Sequence, residues 1–388
     1  MTAEEYRNAL KTVAYLAACA VNGTVPERER TAGTDPDVLI RAAERHKLAG
    51  ITAQALESAG IRTEATVQAK GNAIRKVILL DAEKNAILER FEAAGIWYMP
   101  LKGAILKDLY PALGMREMSD IDILIDPERM EDADGIMREM GYEDEGDNGA
   151  HCGYHKEPVY NIELHYLLFQ PEHVDAKVSD YYADVRDRLI PDEGSRFGFH
   201  FSDEDFYIYI LAHEYKHYYL GGTGLRSLLD TYIYIKEKGG SLDWDYVAGE
   251  LEKIGMSEFE EKNRSLALHL FNGENLSEEE QERLDYIVFS GTYGTMKNKV
   301  DNAVVRQGGG FLGKLRYFFR RLFLPMDKVR KYFPLFAKVP ILLPFLPIYR
   351  LIRSMKENKG RTKTEIKALF RHRKKKGTDE TGNAKDEA

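Results

Sequence analysis

Two rhythms of apolar spacing divide the chain. Over the first ninety residues apolar side chains recur three and four apart. ATVQAKGNAIRKVILLDAEKNAILERFEAAG keeps that spacing up to Gly95, and DPDVLIRAAERHKLAG sets Pro36 near a helix start and Gly50 at its end. Helices are the expectation there. The period then shortens: IWYMP is a brief apolar run leading into LKG, AILKDLYPALG predicts a short helix and a turn, and SDIDILID alternates with period two, as a strand does. PERMEDADGIMREMGY reads helical again, with Asp126 as N-cap and Pro127 as first residue. A second alternating run, VYNIELHYLLF, follows about forty residues after the first, and from Ser202 to about Phe271 the pattern is once more helical. No internal repeat is visible.

This order of elements predicts an α+β protein in four regions: a helical region over 1–94, a small mixed sheet with its helices over 95–195, a helical domain over 196–305, and a basic amphipathic tail over 306–388. At 388 residues and 44% hydrophobic, the chain can bury a sizeable core. The stretch MTAEEYRNALKTVAYLAACAVNG is acidic and periodic, without the basic head and cleavage site of a signal peptide. Two cysteines, Cys19 and Cys152, are too few for a disulfide framework. Both point to the cytoplasm. The net charge of −8 averages two unlike parts, because residues 311–388 hold 21 Lys and Arg against 7 Asp and Glu, a surplus of 14 that leaves −22 elsewhere.

The strand SDIDILID carries the candidate chemistry. Side chains two apart share a face, so Asp120 and Asp122 project together while Ile121, Ile123 and Ile125 fill the other side. Two adjacent carboxylates repel unless a cation lies between them, and Mg²⁺ is held by one or two carboxylates together with substrate phosphates. Glu163 in NIELHY, on one face with Asn161 and His165, offers a third acid for displacement at phosphorus. The plainer alternative is a half-exposed strand with a solvated acidic face.

LKGAILKDLYPALGMREMSDIDILI followed by IELHY resembles the uncharacterised nucleotidyltransferase family of bacteria, a branch of the polymerase-β-like nucleotidyltransferase superfamily. The resemblance runs from RHKLAGI to HEYKHYYLGGTGLRSLLD, about residues 40 to 235. It implies a small mixed sheet flanked by helices and an enzyme that moves a nucleoside monophosphate from an NTP, ATP among them, to an acceptor hydroxyl. Asp120 and Asp122 would ligate Mg²⁺ or Mn²⁺, and Glu163 would ligate it or act as base. Lys102, Gly103, Ala104, Arg116 and Ser119 would face the nucleotide, with His165, His213, His217, Arg226 and Asp230 as outer candidates. Two departures stand out: Ala104 replaces the hydroxyl residue of the superfamily's Gly-Ser turn, and the gap from Gly103 to Asp120 is longer than usual. The acceptor stays open among tRNA, protein, sugar and small molecule. A non-catalytic binding module of the same fold is the competing reading.

Two further motifs need weighing. HEYKH matches H-E-x-x-H, with His213 and His217 one helical turn apart as zinc ligands, Glu214 to activate water and Glu237 as a distant third ligand, which makes a zinc metallohydrolase the minor alternative. Helix packing suits these histidines better, and Arg226 and Asp230, one turn apart, are expected to pair with each other. GGGFLGKL fits a phosphate loop until Leu315 stands where Ser or Thr must hold Mg²⁺, so it reads as a flexible hinge into the tail. The basic, proline-interrupted segment 311–376 folds back on the acidic body, lies on an anionic membrane surface or binds nucleic acid. Folding back is the favoured reading for 311–355, and the second would make the protein peripheral at a membrane. RHRKKKG and TDETGNAKDEA are expected to be disordered.

Overall fold

A computed structural model describes residues 2–357 apart from positions 32, 293, 325, 327, 328, 331 and 332. The expected disorder after position 370, and the tail from 358 onward, lie outside those residues. Two compact units divide between Thr295 and Met296.

The first unit begins with helices α1 (Ala3–Asn22), α2 (Arg28–Thr31), α3 (Pro36–Glu44), α4 (Ala49–Ser58) and α5 (Glu64–Ala94). Helix α5 ends at Gly95 as its sequence predicts, while its start was not read from the sequence. Thr63 caps its start by accepting from the Thr66 N–H, and Gly95 ends it with φ of +69°. Gly50 does not end a helix, contrary to the reading of DPDVLIRAAERHKLAG: α3 stops at Glu44 and Gly50 lies inside α4. A Cβ there would meet the Gly114 carbonyl oxygen at 2.4 Å, so this glycine serves a close backbone approach.

A mixed five-stranded sheet follows, in the order β1-β2-β5-β4-β3, from β1 (Tyr98–Pro100), β2 (Ile121–Ile125), β3 (Glu143–Asp147), β4 (His151–Lys156) and β5 (Tyr160–His165). Strand β2 pairs antiparallel with β1 and parallel with β5. Its isoleucines face α5 and α7 (Met130–Glu139), packing with Leu80, Ile87, Phe91 and Met137. Asp126 caps the turn before α7. The short helix α6 (Gly103–Leu106) follows β1, and α8 (Ala176–Tyr181) follows the sheet.

The helical half contains α9 (Asp203–Leu220), α10 (Leu225–Lys238), α11 (Trp244–Lys253), α12 (Ser257–Asn272) and α13 (Glu278–Ser290). Side chains of α9 and α11 cover the other side of the sheet with Met99, Leu124 and Phe169. Helices α10, α12 and α13 share one apolar core with α1, α3 and α4. The N-terminal helices are thereby buried against elements some 200 residues later in the chain. This α+β architecture, a small mixed sheet between helical layers, is the one the sequence predicts.

The second unit opens with α14 (Met296–Arg306) and α15 (Gly310–Leu322). They are joined by Gly308, Gly309 and Gly310, all with positive φ. These three glycines make the turn between two helices where a flexible hinge was expected, while the fourth glycine of GGGFLGKL, Gly313, lies inside α15.

Candidate active site

Parallel pairing of β2 with β5 sets Asp122 directly opposite Glu163. Asp120 lies at the entrance of β2, partly buried, while Asp122 is buried. The next register pair on that side brings His151 of β4 opposite His165 of β5, with ring centroids 4.7 Å apart. Three neighbouring strands thus deliver acids and imidazoles to one cleft.

Lys102 enters from the turn after β1. Its backbone sits at φ +43° and ψ −111°, a region that costs a lysine of order 1–3 kcal/mol. This strained turn brings the ammonium to 2.8 Å from Asp122 Oδ1, and His165 Nε2 reaches the same oxygen at 2.8 Å. Burial pushes the Asp122 carboxyl up, but Lys102 and His165 outweigh it and hold the group well below the usual carboxylate range. Asp120 moves the other way: burial and the charge of Asp122 raise it. The charge of Asp122 is already met by Lys102 and His165, so Asp120 is the carboxylate that a further cation would relieve.

The remaining predicted residues divide. Arg116, Ser119, His213, His217 and Arg226 all line the same cleft, whose volume is about 350 Å³, within the range of small-molecule sites. Ala104 does not reach it: its methyl is buried with the sheet core and its N–H donates to the Leu101 carbonyl. Gly103 leaves room for a guanidinium, since a Cβ would lie 2.6 Å from an Arg116 nitrogen. Arg116 is already engaged. Its Nε and one terminal nitrogen grip both oxygens of Asp230 at 2.7 and 2.9 Å, and Tyr110 donates to Asp230 at 2.7 Å. The expected Arg226–Asp230 pair is therefore replaced: Arg226 donates to the Glu117 carbonyl at 3.2 Å. One-turn spacing allowed the local pair, and a bidentate partner from the loop before β2 displaced it.

His213 and His217 place their Nε2 atoms 3.1 Å apart. Burial, then the charges of Lys102 and Lys216, push His213 well down, so it is neutral at neutral pH. Glu214 has one oxygen held by Asn263 and Thr231 and the other buried without a partner, and burial raises it to about 7. Glu237 is exposed and outside the cleft. Among the described residues the three-donor group able to hold a metal is His151, Glu163 and His165, without the HEYKH pair.

His151 and Lys216 are among the cleft residues that escaped the sequence reading. His151, whose Nε2 lies 3.4 Å from Glu163, sits in HCGYHK, and its role is set by pairing with β5. Lys216 lies between the motif histidines, and burial with the neighbouring Lys102 charge lowers it to about 8. Its place three residues after His213 on one helix face was the available signal. A second cleft, about 390 Å³, shares Ser119, Asp120, Asn148, His151 and Glu163 with the first and adds Glu145 and Asn161. Asp120 and Glu163 thus stand where the two clefts meet, while Asp122 lines only the first, which holds Lys102, Arg116, Lys216 and Arg226 as well as acids.

Residues 32–272 match the family described as uncharacterised nucleotidyltransferase, a span that holds the whole sheet, both clefts' carboxylates and helices α9 to α12. The chain belongs to that family. No curated protein and no solved structure matches it. Within this nucleotidyltransferase family member the match stops at α12, so α13 and the whole second unit stand outside it.

Proposed function

We propose that the chain is a metal-dependent nucleotidyltransferase of the polymerase-β-like type, moving a nucleoside monophosphate from an NTP to an acceptor hydroxyl. The observation that carries this reading is the β2–β5 register, which puts Asp122 beside Glu163 with Asp120 one step away, facing Lys102 and Lys216. Asp120, Asp122 and Glu163 line one cleft and offer the oxygen donors that Mg²⁺ or Mn²⁺ takes, next to the closer-set group of His151, Glu163 and His165. Asp120 and Asp122 would hold it, and bound there it would supply charge neutralisation for the phosphates.

The chain's own groups account for the rest. Lys102 and Lys216 bind triphosphate oxygens on the cationic side, Lys102 exchanging Asp122 for phosphate. The acceptor enters from the acidic cleft, where Asn148, Asn161 and Glu145 favour a neutral or cationic hydroxyl compound over a polyanion such as tRNA. Its oxygen attacks the α-phosphorus, the bond to the bridging oxygen breaks and pyrophosphate leaves. Glu163, flanked by His151 and His165, takes the hydroxyl proton. His151 is lowered by burial and by His165, so it is neutral and able to relay that proton.

The second reading, a non-catalytic nucleotide binder, draws on the two contacts that already fill Asp122 Oδ1. Incubation with each α-³²P-labelled NTP, Mg²⁺ or Mn²⁺ and a cell extract separates them. Label transferred by wild type and absent with Asp120→Ala/Asp122→Ala supports transfer. NTP binding unaffected by Asp120→Asn, with no transfer, supports the binder.

A further inference from the structure

Apolar surface is distributed very unevenly over this protein. Among the described residues, 15 large apolar side chains from Val305 to Ile352 are exposed, against 8 scattered over the whole of residues 1–295. Isolated exposed apolar residues are ordinary, whereas a contiguous patch marks a surface that meets something.

Helix α15 orders the excess into a stripe. Phe311, Leu312, Leu315, Phe318 and Phe319 recur at the spacing of one helix face, each between 40 and 78% exposed. The opposite face is the one that packs. A Cβ at Gly313 would lie 2.7 Å from the Val304 carbonyl oxygen of α14, and Tyr317 joins Met296, Val300 and Val304. The stripe therefore points away from its partner helix. Lys314, Arg316, Arg320 and Arg321 border it in sequence, Arg316 and Arg320 are exposed, and no Asp or Glu occurs from Gly310 to Phe323. The helix Leu346–Glu357 repeats the arrangement with Ile348 and Ile352 exposed, four apart, near Arg350 and Arg353.

We propose that α15, together with the exposed Ile348 and Ile352 of the later helix, forms a docking surface for an anionic lipid bilayer, laying the α15 stripe into the boundary between headgroups and acyl chains with Arg316 and Arg320 at headgroup level. An apolar face bordered by cations and free of acids has the charge complement of such a membrane. No helix among the described residues is long and apolar enough to cross a membrane, so this surface lies on it. A second copy is a poorer occupant, because stripe-to-stripe pairing would bring the basic borders of two copies together. Nucleic acid is poorer too, since Leu312, Leu315, Ile348 and Ile352 offer nothing to a phosphate backbone.

The test floats full-length protein with phosphatidylcholine vesicles and with vesicles that also contain phosphatidylglycerol. Wild type is expected to float with the anionic vesicles, to stay behind with the neutral ones and to release in high salt. Each of Phe318→Ser and Phe319→Ser is expected to lower the partition coefficient by roughly tenfold, and Arg316→Gln or Arg320→Gln by about fivefold. Circular dichroism identical to wild type controls for folding. A Phe319→Trp chain, which keeps the face intact, should show a blue-shifted emission on adding anionic vesicles. No flotation of wild type, flotation undiminished in the Phe318→Ser/Phe319→Ser chain, or an unshifted emission from the Phe319→Trp chain overturns the proposal. So does an oligomer that dissolves in that double variant without vesicle binding, or nucleic-acid binding lost with Arg316→Gln/Arg320→Gln while vesicles are ignored.

Discussion

Helices α10 and α15 are of similar length, yet Asp230 on the first is a charge kept out of water and Phe318 on the second is a ring kept in it. Elementary solvation would exchange the two positions. Asp230 stays buried because Arg116 and Tyr110 satisfy its carboxylate on the spot. Phe318 meets the Phe319 ring edge-on and still stands exposed, and the proposed bilayer contact would account for that exposure. In one region the unusual groups are explained from within, and in the other the proposal looks outside the chain.

Substitutions should break that contrast in a definite order. The largest effect is expected on chemistry: Asp120→Ala/Asp122→Ala lowers nucleotidyl transfer by roughly a thousandfold or more in the labelled-NTP assay. Asp230→Ala comes next, because it leaves the buried Arg116 without its counter-charge. A loss of about 3–5 kcal/mol in urea unfolding is expected, with the Arg116→Met/Asp230→Leu pair costing less than the single change.

Glu214 gives a pH signature. Its folded value of about 7 lies above the ordinary 4.5, so the stability tied to its proton is complete below 4.5 and lost as the pH rises through 7. Urea midpoints of wild type should fall over that window by an amount equivalent to about 3 kcal/mol, and Glu214→Gln should flatten the fall. For Lys216, lowered to about 8, charge on the triphosphate side is lost as the pH rises through that value. The KM for NTP should then climb by about tenfold, and Lys216→Arg should move the climb to higher pH with little change in kcat. Smallest of all, Phe318→Ser/Phe319→Ser should leave the unfolding free energy of the first unit within about 0.5 kcal/mol. A larger loss there would erase the contrast.

Much of the sheet could be read from its alternation. Ile121, Ile123 and Ile125 announced a buried face, and the same period put Asp120 and Asp122 together on the other. Local rules also placed Gly95 and Asp126 at the ends where capping requires them, whereas the Thr63 cap was not read in advance. What stayed hidden depends on contacts far apart in the chain. Which strand lies beside β2, and in which register, decides that His151 meets Glu163. Arg116 looked like a phosphate ligand because its partner lies 114 residues away. Gly50 looked like a helix end because its close neighbour, Gly114, comes from another segment. Lys216 was overshadowed by the motif around it.

The Arg116–Asp230 clasp has a consequence for how such a chain can vary. It ties the loop that leads into the Asp120–Asp122 strand to a helix encoded more than a hundred residues later, in a place where neither charge is tolerated alone. Single substitutions at either end pass through a destabilised chain, so positions 116 and 230 are expected to covary among relatives, exchanged as a pair or kept as one. The same linkage fixes the smallest piece that can be made in isolation: a fragment ending after β5 retains all three carboxylates yet loses the counter-charge of the loop that presents two of them.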